Sequence, residues 1–222
     1  SGYKADPIRL PAHSTVRAGD REIGIGFTLA DPNVALIQDL LTEQECEKLI
    51  SLSANKVTRS SVVDRATGGD QISAVRTSAG THFERGENAI VARIEQRIAA
   101  LTGLPIENGE PLQILYYKPG NEYLAHHDYF DPNDPGSAEV MRAGGQRIAT
   151  FVIYLNNVTE GGETRFPELS LDVKPRRGSA LYFEYRNAAG ELDARCLHAG
   201  VPVIQGEKWI ATKWLRQGPY QR

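Results

Sequence analysis

The sequence lacks the features that mark several classes of protein. Its two cysteines, Cys46 and Cys196, are too few for a disulfide framework, so we expect reduced thiols and a cytoplasmic protein. Its apolar runs fall far short of the ~18 residues that span a bilayer, so no membrane association is expected. Its net charge of -3 gives no electrostatic basis for binding nucleic acid. No internal repeat or low-complexity segment occurs, and 222 residues favour a single domain.

The sequence does contain a change of hydrophobic period near Pro111. Before it, apolar residues recur at helical spacing. Thr42 begins a capping box with Glu45 ahead of one helix, and a second helix is predicted over 86–102, ended by Gly103. After it, β-branched and aromatic runs alternate with a period of two, which predicts strands. These runs are 112–117, 147–155, 179–185 and 208–214.

Helices first and strands afterwards predict an α+β fold, in which helices back one face of a mainly antiparallel sheet. Short strands at close spacing suit a double-stranded β-helix, or jelly roll. We divide the domain into an N-terminal arm or edge strand (1–33), a helical support and substrate-loop region (34–110), and a jelly-roll core (111–222). Two long polar stretches, 58–80 and 131–146, are expected to be lids or binding loops.

The motif His126-His127-Asp128, followed by His198 and Lys208, carries the most chemical information. Two histidines and one carboxylate form the facial triad that holds non-haem Fe(II) and leaves positions open for ligands. On a strand, residues i and i+2 point to the same face, so His126 and Asp128 can reach one metal while His127 points away. The remaining two histidines, His13 and His82, have no partner at such spacing and are interpreted as structural or surface residues.

A zinc hydrolase is the main alternative, because two histidines and a carboxylate also form catalytic zinc sites. Such sites commonly place the histidines one helical turn apart with a glutamate between them, and the sequence has no such motif. Lys208 favours iron, because a buried cation needs an anionic partner and the far carboxylate of 2-oxoglutarate would supply one. Taken alone, Lys208 is better explained as a solvated lysine at a strand end.

From about Val34 onward the chain resembles the prolyl 4-hydroxylase branch of the Fe(II)/2-oxoglutarate dioxygenases, most closely its bacterial members. The blocks that carry this resemblance are moderately specific one by one and strongly specific in their order and spacing. They are a tyrosine-rich approach to the metal pair (117–128), a central strand (147–156), a Gly-Gly-Glu-Thr-Arg-Phe-Pro turn (161–167), and a distal histidine followed by a lysine strand (198–214).

The resemblance implies a hydroxylase that uses Fe(II), 2-oxoglutarate and O2, releases succinate and CO2, and takes ascorbate as its reductant. It implies a peptide or protein substrate that contains proline. It implies that His126, Asp128 and His198 bind Fe(II) and that Lys208 completes the catalytic set. It implies that Lys208, Thr164 and Tyr117 bind 2-oxoglutarate. The residues that it implies for the peptide groove are Arg76, Ser78, Glu110, Tyr123, Arg147 and Trp214.

Several alternatives stay open at this point. Glu110 and Arg147 could be strand-end charges that face solvent, and the two aromatic groove residues could be core residues. Arg216 stands where family members often carry a histidine that helps hold the peptide, so collagen-like or polyproline specificity does not follow. A hydroxylase of a free amino acid or small metabolite would need a closed pocket. A non-catalytic module that senses iron and 2-oxoglutarate is the third possibility.

Overall fold

The computed structural model describes residues 2–59, 61–63, 70–72 and 76–221. The α-helices within these ranges are α1 (Glu43–Ala54), α2 (Ala89–Thr102) and α3 (Ser137–Met141). The strands up to the middle of the chain are β1 (Thr15–Ala18), β2 (Arg21–Ala30), β3 (Asn33–Gln38), β4 (Thr58–Arg59), β5 (Ser61–Val63), β6 (Asp70–Ile72), β7 (Ala79–Phe83) and β8 (Leu112–Tyr117). The later strands are β9 (Tyr123–His126), β10 (Arg147–Tyr154), β11 (Glu160–Gly161), β12 (Thr164–Phe166), β13 (Leu171–Val173), β14 (Ala180–Glu184), β15 (His198–Gly200), β16 (Val203–Gln205) and β17 (Lys208–Arg216).

Two antiparallel sheets form the jelly roll. The larger sheet has nine strands in the order β1-β2-β3-β14-β10-β17-β8-β7-β4, and the smaller has four in the order β13-β12-β15-β9. The four strands predicted from the period of two are β8, β10, β14 and β17, which agree with the predicted bounds to within two residues. They lie next to one another in the larger sheet. The α+β jelly roll is therefore confirmed.

The central strands of the larger sheet are buried on both faces, and β10 shows how. Successive side chains of a strand point to opposite faces. Phe151 and Ile153 pack in a core with the apolar residues of α1 and α2. Val152 and Tyr154 pack in a second core with residues of the smaller sheet. Because both faces are covered, the strand consists of a nearly continuous apolar run.

The helix ends follow local chemistry. The Thr42 hydroxyl accepts from the backbone N–H of Glu45, whose carboxylate accepts from the backbone N–H of Thr42, so the capping box is confirmed. Helix α2 begins three residues after the predicted start because the Asn88 side chain accepts from Val91 N at 2.9 Å. Gly103 ends α2 with φ 71°, a left-handed conformation that glycine adopts readily.

The less regular segments carry more structure than the sequence indicates. Strands β1 and β2 lie at one edge of the larger sheet, in agreement with the edge-strand interpretation of the N-terminal region. The stretch 58–80 holds β4, β5 and β6, and 131–146 holds α3, so neither is a uniform loop. The centre of the first stretch, 67–70, lies outside the described residues except for Asp70, the first residue of β6. Among the helices described, none is long and apolar enough to cross a membrane.

Candidate active site

The three expected metal ligands converge where β9 and β15 pair. The register of these strands places His126 directly opposite His198. Asp128 Oδ1 lies 3.2 Å from His126 Nε2 and 3.3 Å from His198 Nε2. Strand β9 ends at His126, so Asp128 reaches the site from the following turn and not from the strand position that was predicted. Within the described ranges, this is the one group of three such side chains close enough to hold a metal ion, with ligand atoms within 4.8 Å of one another.

Hydrogen bonds orient both imidazole rings. His126 Nδ1 lies 2.7 Å from the carbonyl oxygen of Leu124, and His198 Nδ1 lies 2.9 Å from that of Cys196. A carbonyl oxygen only accepts, so each Nδ1 donates, and the neutral form of each ring carries its lone pair on Nε2. Burial and the neighbouring His198 lower the pKa of His126, which favours its neutral form. Both Nε2 atoms are therefore oriented as metal ligands.

Asp128 is buried and ionised. Burial alone would raise its pKa, but the positive charge of His198 and hydrogen bonds from the two imidazoles in their Nε2-protonated forms hold the pKa well below its usual value. Its Oδ2 accepts from the Thr150 hydroxyl at 2.8 Å and from Trp214 Nε1 at 3.1 Å. The Thr150 hydroxyl lies 2.8 Å from the hydroxyl of Tyr185. The carboxylate is thus anchored through one oxygen and faces the imidazoles with the other.

His127 takes no part in this group. Its Nε2 lies 3.0 Å from the carbonyl oxygen of Ala194, and its ring stacks on Tyr129 at a centroid distance of 4.7 Å. His13 and His82 are exposed. The outward direction of His127 and the surface placement of the other two histidines agree with the sequence predictions.

A pocket of about 420 Å³, counting the part open to solvent, begins at the three ligands. Tyr117, Thr164 and Lys208 also line it. The Lys208 ammonium lies 4.8 Å from the centroid of the Tyr117 ring, and the Thr164 hydroxyl lies 2.7 Å from the hydroxyl of Tyr154. The residues expected to hold 2-oxoglutarate are therefore in the same cavity as the expected metal ligands.

Lys208 is 2% exposed, so its interpretation as a solvated strand-end lysine is wrong. Burial lowers its pKa to about 8, and only Glu163 counteracts this from a distance. Among the residues described, no carboxylate forms an ion pair with its ammonium. The pocket thus combines a metal-binding face with a buried cation that needs an anion.

The six residues implied for the peptide groove divide into two groups. Tyr123 and Trp214 line the pocket, and the Tyr123 ring stacks on His126 at a centroid distance of 3.7 Å, so neither is simply a core residue. The other four do not line this pocket; three of them are buried and Arg147 is partly buried. They are Arg76, Ser78, Glu110 and Arg147.

Glu110 lies between two guanidinium groups, so the alternative in which it faces solvent is wrong. Its Oε1 accepts from Arg147 Nη2 at 2.9 Å, and its Oε2 accepts from Arg147 Nε at 2.6 Å and from Arg216 Nε at 2.7 Å. Burial raises the pKa of Glu110, but the two arginines outweigh that effect and lower it overall. Arg216 also donates to the carbonyl oxygens of Val140 and Gly145.

Sequence reasoning missed part of the pocket wall, and it missed Thr150, which donates to Asp128, with Tyr185 behind it. Every second side chain of a strand points to the same face. Counting forward from Lys208 along β17 and backward from Tyr117 along β8 would therefore have identified four of the missed lining residues: Ile210, Thr212, Leu115 and Gln113. Thr150 and Tyr185 gave no comparable signal. Thr150 reaches Asp128 from β10, and Tyr185 reaches the Thr150 hydroxyl from the residue after β14, so both come from positions distant in sequence. The missed lining residues are Gln113, Leu115, Val152, Ala199, Gly200, Ile210 and Thr212.

The donor set fits Fe(II). Two imidazole nitrogens and one carboxylate oxygen on one side leave the opposite side open, as in the facial triad of non-haem iron oxygenases. Such a triad in a jelly-roll pocket with a buried lysine defines the class of 2-oxoglutarate-dependent oxygenases. In agreement, residues 112–216 match the 2OG-Fe(II) oxygenase superfamily. The zinc alternative is set aside.

Relatives over most of the chain narrow this class. Probable prolyl 4-hydroxylase 3 of Arabidopsis thaliana is 42% identical over 210 residues, which cover 86% of this chain and 71% of that protein. Prolyl 4-hydroxylase 5 of the same organism is 42% identical over 203 residues, 83% of this chain and 68% of that protein. The chain belongs to the prolyl 4-hydroxylase family, as the sequence motifs implied.

Solved structures agree with this assignment. The viral collagen prolyl hydroxylase of Paramecium Bursaria Chlorella virus-1, in complex with 2-oxoglutarate, has a TM-score of 0.66 and 30% identity. The match covers 82% of this chain and 95% of the viral one. A Pseudomonas putida prolyl-4-hydroxylase, with a TM-score of 0.57 and 19% identity over 83% of this chain and 92% of its own, shares the fold.

Proposed function

We propose that this protein is an Fe(II)- and 2-oxoglutarate-dependent hydroxylase of prolyl residues in a peptide or protein. The observation that carries the proposal is the shared pocket, which holds the buried Lys208 ammonium together with the face formed by His126, Asp128 and His198. A dicarboxylate that chelates a metal at one end needs a cation at the other. Membership of the prolyl 4-hydroxylase family supports the choice of proline.

In this proposal His126 Nε2, Asp128 Oδ1 and His198 Nε2 bind Fe(II). With 2-oxoglutarate bound, the iron would supply the activation of O2, so that one oxygen atom enters a C–H bond of the substrate and the other enters succinate as CO2 leaves. The protein would hold the reacting groups in place and, with substrate bound, would exclude water from the pocket. Ascorbate is the expected reductant.

Lys208 and Thr164 hold the distal carboxylate of 2-oxoglutarate. Lys208 donates a charge-assisted hydrogen bond, which is stronger than one between neutral groups. Thr164 can donate to the same carboxylate while its oxygen accepts from the Tyr154 hydroxyl, which lies 2.7 Å away. The Tyr117 hydroxyl is proposed to bind the cosubstrate nearer the metal. The apolar side chains of the wall contact the methylene groups.

The substrate enters past Tyr123 and Trp214, the two proposed groove residues that line the pocket. The pocket is open to solvent, which suits a segment of polypeptide better than a fully enclosed metabolite. Arg216, at the position of the family's peptide-binding histidine, is 3% exposed and paired with Glu110. We therefore do not extend the collagen substrate of the viral relative to this chain.

The test is incubation of the protein with Fe(II), ascorbate, 2-oxoglutarate and either a library of proline-containing peptides or free proline. We expect the mass of one oxygen atom to be added to peptidyl proline, with an equivalent amount of succinate. His126→Ala should give neither product. Oxygen added only to free proline would favour the metabolite hydroxylase. Binding of 2-oxoglutarate without product on any substrate would favour the sensing module.

A further inference from the structure

The two oxygens of Asp128 have different surroundings. Oδ1 faces the Nε2 atoms of the two ligand histidines at 3.2 and 3.3 Å. Oδ2 accepts from the Thr150 hydroxyl at 2.8 Å and from Trp214 Nε1 at 3.1 Å. Because these two donors engage Oδ2, only Oδ1 is oriented toward a metal. The carboxylate is thus arranged to bind with one oxygen.

Trp214 is held in this orientation by a cation on its face. The guanidinium carbon of Arg147 lies 4.1 Å from the centroid of the Trp214 ring and 4.6 Å from that of Phe130. Arg147 Nη1 also donates to the backbone carbonyl of Asp128 at 3.3 Å. One guanidinium therefore contacts both the indole that donates to Asp128 and the backbone of Asp128 itself.

Glu110 in turn holds Arg147. Both of its carboxylate oxygens accept from that guanidinium, and Arg216 adds a third hydrogen bond to Oε2. Glu110 is 7% exposed and does not line the pocket. Its two oxygens are engaged by arginines, which leaves it poorly placed to contact a peptide. Arg216, the departure from the family pattern, completes this arrangement.

We propose that Trp214, supported by Arg147 and Glu110, is a positioning residue that keeps Asp128 a one-oxygen ligand. The inference rests on the proposed function, because it concerns the ligand of the proposed iron. A second carboxylate oxygen on the metal would occupy one of the positions that 2-oxoglutarate and O2 need. Glu110 and Arg147 then act through Trp214 and Asp128, and not as contacts for the peptide.

The test compares two tryptophan variants on the same strand. Trp214→Phe removes the indole N–H but retains a ring that Arg147 can contact. Trp209→Phe is the matched control, because Trp209 stacks on Tyr116 at 4.4 Å and its buried Nε1 has no hydrogen-bond partner among the described residues. Apo protein is titrated with Co(II), an oxidation-resistant probe for the Fe(II) site, and the visible Co(II) spectrum and the melting temperature are recorded.

We expect Trp214→Phe to weaken Co(II) binding by about ten- to a hundredfold, the usual effect of losing a hydrogen bond to a metal ligand. Its Co(II) spectrum should change, because the freed Oδ2 alters the coordination. Trp209→Phe should keep the wild-type affinity and spectrum even if its melting temperature falls by a similar amount. Thr150→Val, which removes the other donor to Oδ2, should weaken Co(II) binding in the same direction and provides a second test if Trp214→Phe does not fold.

Two results would overturn different claims. Wild-type Co(II) affinity and spectrum in both Trp214→Phe and Thr150→Val would overturn the positioning role alone, whatever happens to the KM for peptide. A wild-type protein that binds Co(II) no better than His126→Ala would overturn the proposed function, and the positioning role with it. A rise in peptide KM alone is the signature of a groove contact.

Discussion

The replacement Lys208→Met tests the centre of the proposed site, because it should weaken cosubstrate binding and stabilise the unliganded protein. Methionine has similar length but cannot donate to a carboxylate. Hydrogen bonds to charged groups contribute about 1.5–3 kcal/mol, which corresponds to roughly a ten- to 150-fold weaker affinity for 2-oxoglutarate. Metal affinity should change little, because the lysine is not a ligand.

The gain in stability follows from the burial of the ammonium. Burial lowers the pKa of Lys208 from 10.5 to about 8. Each tenfold change in an ionisation constant corresponds to about 1.4 kcal/mol, so the charged lysine destabilises the folded, unliganded protein by about 3 kcal/mol. The folded-state pKa lies below the unfolded value, so this penalty is complete below pH 8 and is relieved as the pH rises from 8 to 10.5. Lys208→Met should therefore gain most stability below pH 8.

The same pKa sets the pH dependence of cosubstrate binding. Below pH 8 the pocket presents an ammonium to the dicarboxylate, and above pH 8 the unliganded lysine loses its proton. The affinity of the wild type for 2-oxoglutarate should fall about tenfold for each pH unit above 8, since binding must then include proton uptake. The affinity of Lys208→Met should be independent of pH over this range, apart from effects that the wild type shares.

Lys213 on the same strand provides a matched control. It is also buried, but its ammonium donates to Glu95 Oε2 at 2.6 Å and to the carbonyl oxygen of Glu110. Lys213→Met leaves Glu95 buried without that cation and should destabilise the protein by about 3–5 kcal/mol. The two Lys→Met variants should therefore change the free energy of unfolding with opposite signs.

The assays are urea unfolding of the unliganded variants and calorimetric titration with 2-oxoglutarate in the presence of a redox-inert divalent metal. Unchanged 2-oxoglutarate affinity in Lys208→Met would refute the assigned role of Lys208. A loss of stability in Lys208→Met similar to that of Lys213→Met would refute the argument that its ammonium is buried without compensation.

Three further predictions follow from other parts of the site. His126→Ala should lose metal binding and turnover, measured by metal content and succinate release, while His127→Ala should keep most of both. Equal loss in the two variants would contradict the observed direction of His127. Glu110→Gln removes the charge shared by the buried Arg216 and the partly buried Arg147. It should lower the free energy of unfolding by about 3–5 kcal/mol, measured by denaturant unfolding. A change below about 1 kcal/mol would contradict this. The segment 58–80 should be cleaved by protease in the free protein and protected by bound substrate, as expected of a lid. Equal cleavage with and without saturating substrate would indicate a surface loop instead.

The sequence by itself determined the features that depend on neighbouring residues. Thr42 and Glu45 specify a helix start, because both hydrogen bonds of a capping box lie within one turn. The period of two after Pro111 specifies strands, because the alternation of side chains is local. The residue types in His126-His127-Asp128 indicate a metal site, and the alternation along the strand predicts that His127 points away.

The tertiary structure decided everything that depends on strands distant in sequence. The pairing of His126 with His198 across β9 and β15 is a matter of register, which no local pattern specifies. The hydrogen bond from Thr150 to Asp128 and the ion pairs of Glu110 with Arg147 and Arg216 depend on which strands meet and what buries them. A charged residue at a strand end has the same sequence signature in solvent as in a core, because its burial is set by the elements that pack over it.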